Sequence, residues 1–168
     1  MVGFKLSDRY SSPIPAARFF RALIGDFHNL IPKLMPEAIG SIDIVQGDGG
    51  AGTIMQINFT EGKVSSGVFN SQMKYLKHNV DALDKEKMMH SYTMVEGGEF
   101  ADKIETISYE IKMEASPVGG CKGLNVSKYH PKPGALINEE EIKAGKEKAT
   151  AVFKAAEAYL LANLEGYA

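Results

Sequence analysis

The chain has 168 residues, 44% of them hydrophobic and 24% charged, with a formal net charge of −2. That length and balance belong to one globular domain rather than to a disordered chain, and the charge gives no electrostatic reason for nucleic acid as the main partner. No apolar run approaches the roughly 20 residues of a membrane-spanning helix, and the charged opening MVGFKLSDRY lacks the apolar stretch of a secretory signal.

The first residues, GFKLSDRY, read as a strand. SSPIPAARFFRALIGDF follows as a short helix. Ser11 and Ser12 are its cap candidates, Pro15 suits a first turn, Ala17, Phe20 and Ile24 fall on one face, and Gly25 ends it. DFHNLIPK predicts a second short helix, bounded by Asp26 and interrupted by Pro32. Strands then dominate from Ser41 to Tyr129.

The stretch GDGGAG, with Gly47, Gly49, Gly50 and Gly52, fits the dinucleotide pattern G-x-G-x-x-G letter for letter. A dinucleotide loop must open a helix, whose N-terminal N–H groups hold the pyrophosphate. Here TIMQINF follows. Thr53, Met55, Ile57 and Phe59 alternate with Ile54, Gln56 and Asn58, which is the period of a strand. SIDIVQ before the loop reads as a strand too, and the Lys-Ser/Thr ending of a phosphate loop is missing. The context therefore predicts a glycine turn between antiparallel strands, with Asp48 and the glycines taking positive φ. Its backbone N–H groups offer at most a weak anion cradle.

Further along, HSYTMVEGG ends a strand at a Gly-Gly turn. In ETISYEIKME, Glu105, Ile107, Tyr109, Ile111 and Met113 share one face. GGCKGLNVSKYHPKPG begins at a turn and ends at Pro131 and Pro133, whereas KVSSGVFNSQMKYLKHN has no clear period. From Asn138 to Asn163 the chain becomes rich in Ala, Glu, Lys and Leu. Acidic residues follow Asn138, and Ile142, Gly145, Ala149, Val152, Phe153, Ala156 and Leu160 form an apolar stripe. This is one long amphipathic helix, and the order of elements indicates an α+β fold with a helix laid on an antiparallel sheet. Gly145 and Ala149 stand one turn apart on the stripe. They leave room between helix and sheet or allow close helix-to-strand packing, and the pattern alone does not choose.

IPAARFFRALIGD, GDGGAGTI, YTMVEGG, KYH with PKPG, and AAEAYLLAN resemble, in order, segments of the plant pathogenesis-related class 10 family, the birch-pollen-allergen-like proteins. The resemblance covers nearly the whole chain as a single domain, 1–168. It departs at KVSSGVFNSQ, where about eight extra residues follow Gly62, within 63–73. It implies a strongly curved seven-stranded antiparallel sheet gripping the long C-terminal helix, two short helices, and a large apolar cavity between sheet and helix. The function it implies is binding, storage or transport of small hydrophobic or amphipathic plant metabolites or hormones (flavonoid, cytokinin or sterol-like) in defence or stress. By position it assigns Leu23, Phe59, Tyr75, His90, Tyr92, Ile111, Tyr129, Ala149, Val152 and Phe153 to the cavity lining; it also tips the small-residue stripe, Gly145 included, toward a cavity, and alternation adds Tyr109. Tyrosines suit planar ligands, although any one of them can equally be a satisfied core residue.

Two enzyme alternatives arise from the same resemblance. Ribonuclease activity has been linked to a lysine after the glycine loop, two glutamates and a tyrosine. Glu105, Glu157 and Tyr159 match the last three, but Met55 and Gln56 stand where the lysine would be. Condensation of an amine with an aldehyde, as in norcoclaurine synthase, needs a cavity lysine. Leu124 holds that position, with Lys122 and Lys128 beside it and Lys146 as a rim candidate. His28, His78, His90 and His130 are too widely spaced to form a metal motif, and Cys121, the only cysteine, allows no internal disulfide. The expectation is a cytosolic protein with a small hydrophobic ligand as partner, no cofactor, no metal and no membrane association. A monomer is expected, with a dimer left open.

Overall fold

The computed structural model describes residues 4–59, 75–97, 103–135, 139–163 and 165–167. Seven antiparallel strands make one sheet: β1 (Phe4–Ser12), β2 (Ile39–Gln46), β3 (Ile54–Phe59), β4 (Tyr75–Asp84), β5 (Met89–Gly97), β6 (Ile104–Ala115) and β7 (Cys121–Pro131). Their order is β1-β7-β6-β5-β4-β3-β2, so β2 to β7 form a meander and β1 joins it at the far edge through β7. Register shifts interrupt three of the six pairings, β2–β3, β4–β5 and β6–β7, with the extra residues in β2, β4, β5 and the start of β6. Each extra residue bends its strand and increases the local twist, which is how the sheet acquires its curvature.

Three helices cover the concave side. α1 (Ala16–Phe20) continues into a wider π-helical turn, Arg21–Gly25; α2 spans Phe27–Leu34 and α3 spans Glu139–Ala162. Neither Ser11 nor Ser12 caps α1. Pro15 holds the N-cap position without a side-chain cap, and the Ser12 hydroxyl instead accepts the Ile14 N–H at 3.2 Å. Ala17 is exposed, and the buried face is made by Ala16, Phe19, Phe20, Ala22 and Leu23, because 16, 19, 20 and 23 are the i, i+3, i+4 and i+7 positions of one helix face and 17 lies off it. α2 runs on through Pro32 rather than breaking there. Its buried Leu30 and Ile31 anchor it, and the Met35 N–H closes its last turn on the Ile31 carbonyl. In α3, Phe153, Ala156 and Leu160 are buried, while the side-chain surroundings of Ile142 and Gly145 fall outside the described residues. So do Asn138 and the insertion expected at 63–73.

The glycine loop connects β2 to β3, strand to strand. Gly47, Gly49 and Gly52 take positive φ; Asp48 does not, and instead accepts the Gly50 N–H on Oδ1 at 3.0 Å. Gly47 has a second constraint, since a Cβ there would lie 2.7 Å from Thr53 Cα. The fully buried Thr53 ties the loop down, accepting the Gly49 N–H on Oγ1 at 2.8 Å. The Gly52 N–H meets the Val80 carbonyl at 2.8 Å. With these three N–H groups already engaged inside the protein, the loop is a fastened turn rather than an open anion cradle.

The main core fills the closed end, where α1, α2 and the C-terminal half of α3 meet β2, β3 and the β6–β7 hairpin. Arg18 fixes this end. Its guanidinium donates to the carbonyls of Leu160 at 2.9 Å, Gly166 at 2.7 Å and Asn163, so a buried cation closes the C-terminus of α3, where the helix dipole is negative.

Candidate functional site

Between the concave face and α3 lies a cavity of about 270 Å³. Its sheet wall is set by register. Residues paired across antiparallel strands share a face, so Asp8, Asn125, Ile111 and His90 form one row over β1, β7, β6 and β5, and Ser127, Tyr109 and Tyr92 form the next. All seven line the cavity. Met55, Ile57 and Phe59 of β3 and Leu23, Ile24 and Phe27 of the helical end extend the apolar wall, and Ala149, Val152 and Phe153 of α3 close it.

An aromatic chain runs along this wall. Tyr92 stacks on Tyr109 with ring centres 4.9 Å apart, and the imidazoles of His78 and His90 lie 4.7 and 5.1 Å from Tyr92. Burial pushes both imidazoles down to about 4 and the Tyr92 phenol up to about 12, and it lifts Tyr109 in the same direction. Near neutral pH, all four rings are uncharged.

At the α3 side the Tyr10 ring packs against Phe153 at 4.3 Å, and Phe153 stacks on Phe19 at 4.8 Å. Gly123 makes this arrangement available, because a Cβ on it would fall 1.9 Å from the Tyr10 ring. Three buried polar atoms on the cavity residues have no hydrogen-bond partner: the Tyr10 hydroxyl, His90 Nδ1 and Asn125 Oδ1. At the rim Lys146 of α3 meets Asp8 of β1 at 3.2 Å, with both side chains partly exposed.

Of the residues assigned from sequence, Leu23, Phe59, His90, Tyr92, Tyr109, Ile111, Tyr129, Ala149, Val152 and Phe153 border this space. Tyr75 does not. It pairs with Asn58 on the outer face, donates its hydroxyl to Glu96 at 3.1 Å and sits under Lys77, while its neighbours Leu76 and His78 take the inward positions. Gly145 lies within α3, but its surroundings are outside the described residues. Sequence reasoning missed Tyr10, His78 and Asn125.

The enzyme candidates are not assembled. Glu105 is exposed and not inward-facing, because the bulge between Ile104 and Thr106 hands the buried position to Ile104. Glu157 lies 3.9 Å from Lys154, and Tyr159 packs on the main core; none of the three borders the cavity. Lys122 and Lys128 are exposed, and Leu124 is off the wall, leaving Lys146 as the one lysine on it among the described residues. Cys121 is fully buried, with its thiol pushed up by burial. Among the described residues no three His, Cys, Asp or Glu side chains gather as metal ligands, and no helix is long and apolar enough to cross a membrane.

Residues 1–163 match the family model described as the pathogenesis-related protein Bet v 1 family. The major allergen Pru ar 1 of Prunus armeniaca is 46% identical over 164 residues, which cover 98% of this chain and 98% of that one. The crystal structure of Ara h 8.0201 superposes with a TM-score of 0.84 at 33% identity, covering 96% of this chain and 100% of its own. Norcoclaurine synthase from Thalictrum flavum, with a TM-score of 0.69 at 20% identity over 95% of this chain and 87% of its own, shares the fold alone.

Proposed function

The chain belongs to the pathogenesis-related protein Bet v 1 family, and from that premise we propose that it binds, stores or carries a small amphipathic metabolite or hormone in the cavity between sheet and α3. The observation that carries this reading is the wall itself: apolar side chains, a stack of neutral aromatic rings and a few polar atoms, the makeup of a small-molecule site. The ligand-contacting residues are those that border the cavity, with Tyr92, Tyr109 and Phe153 offering ring faces. We place the protein in the cytosol as a single domain and a monomer, in keeping with its one buried cysteine.

Catalysis has less support. An imidazole held near 4 is a weak base at neutral pH, and a phenol raised to about 12 is a weak acid. Both shifts move toward neutrality, as burial alone dictates, rather than toward the operating pH of an acid–base pair. A condensing enzyme needs a cavity lysine, and Lys146 is held at the rim by Asp8.

The test is displacement of an apolar fluorescent probe by plant metabolites, in wild type and in Val152→Phe, which narrows the cavity from α3. Saturable displacement, weakened at least tenfold in the folded variant, is the expected result. No probe uptake by the wild type would overturn the reading.

A further inference from the structure

The cavity is mostly apolar, yet three of its polar atoms are buried without a partner. A buried polar group left unpaired is costly, so such atoms mark places where something else completes the hydrogen bond. Their placement is not random. Tyr10 pairs with Gly123, and Asn125 follows Gly123 by two residues, so Tyr10 and Asn125 are diagonal neighbours on the inward face. Neither polar atom has a partner although the Tyr10 hydroxyl can donate and Asn125 Oδ1 can accept, so the two do not bond each other, and both residues border the cavity. Gly123 gives the Tyr10 ring its place, and Phe153 holds the ring from the other side. His90 belongs to the same cross-strand row as Asn125, with the apolar Ile111 between them. At strand spacings of about 4.8 Å, the two positions stand about 10 Å apart.

Resting on the binding function proposed above, we propose that Tyr10 and Asn125 form a polar subsite that selects uncharged ring ligands carrying an O–H or N–H group, with His90 receiving a second such group across Ile111. A hydroxyl between Tyr10 and Asn125 completes both at once, accepting from the Tyr10 hydroxyl and donating to Asn125 Oδ1. A methyl ether can only accept, and it leaves Asn125 unpaired. Anions are disfavoured. Asp8 and Glu110 border the space, the imidazoles of His78 and His90 are neutral, and Lys146, the one lysine on the wall among the described residues, is paired with Asp8.

The test uses rigid probes of matched shape: 4,4′-dihydroxybiphenyl, 4,4′-dimethoxybiphenyl and biphenyl-4-carboxylate, each titrated by displacement of the fluorescent probe at neutral pH. Wild type should prefer the dihydroxy compound over the dimethoxy compound by about tenfold and bind the carboxylate most weakly. The preference should shrink to about threefold or less in Asn125→Leu and in Tyr10→Phe, which removes only one oxygen and so serves where the leucine variant fails to fold. Tyr75→Phe, on the outer face, should keep it. Equal affinities in wild type, as when water fills the subsite whatever the ligand, would overturn the polar subsite while leaving cavity binding intact. So would a preference that survives both variants. Failure of every compound and of the fluorescent probe to bind would sink the binding function along with it.

Discussion

His78 and His90 are the two titratable imidazoles on the cavity wall, and burial is the main reason both are held at about 4, with His90 depressing His78 further and Asp81 opposing the shift at each. In the unfolded chain each titrates near 6.5. Between about pH 6.5 and pH 4 the unfolded chain therefore takes up protons that the folded protein refuses. Stability that is fully present above 6.5 falls with pH and is lost by about 4. The expected loss is on the order of 3 kcal/mol for each histidine. Urea unfolding measured in steps from pH 7 to pH 4 should show it, and the double variant His78→Phe/His90→Phe should flatten the curve over that window. An unchanged slope would mean that the imidazoles are solvated. His90 was legible in the sequence through family likeness, but His78 was not, because it lies in a stretch without a period. A glycine inside an otherwise alternating strand signals close approach of another group. Gly123 was that signal for Tyr10, and it went unread because the partner strand lies so far away in the chain.

The long helix and the strand context of the glycine loop were legible because each rests on a periodic run longer than its ends are uncertain. The bulges were not legible. A single extra residue leaves no mark on composition yet exchanges the two faces of a strand, which is why Glu105 and Ile104 trade places. Tyr75 needs no bulge: it faces outward by plain alternation with the inward Leu76 and His78, in a strand whose period the sequence did not show. The clamp on α3 was equally silent, since it joins Arg18 to carbonyls near the other end of the chain. Arg18→Met keeps the apolar stem and deletes the three donors. It should destabilise the protein by about 2–3 kcal/mol, with amide hydrogen exchange rising first in the last turn of α3. Loss of stability spread evenly over the sheet would contradict the clamp.

The cavity as a space is a property of sheet, helices and register together, so residue patterns hinted at it only through the small side chains of α3. Its rim is crossed by the Asp8–Lys146 pair, which joins β1 to α3 in partly exposed surroundings. Such a pair adds at most about 1 kcal/mol to stability and weakens with salt. Asp8→Asn should thus leave urea stability nearly unchanged while speeding both uptake and release of the fluorescent probe. Stopped-flow traces that are the same with and without the pair would show that ligands enter elsewhere. The sheet also has a temporal side. β2 to β7 each pair with the strand made just before or after, whereas β1 pairs Phe4 with Tyr129 and Ser12 with Cys121. During synthesis the first strand therefore emerges long before its only neighbour exists, and it must stay unpaired, with its hydrogen-bonding edge open, until β7 leaves the ribosome. Closing that contact late makes the first strand the slowest part of the sheet to form and exposes the unfinished chain to pairing with its own copies.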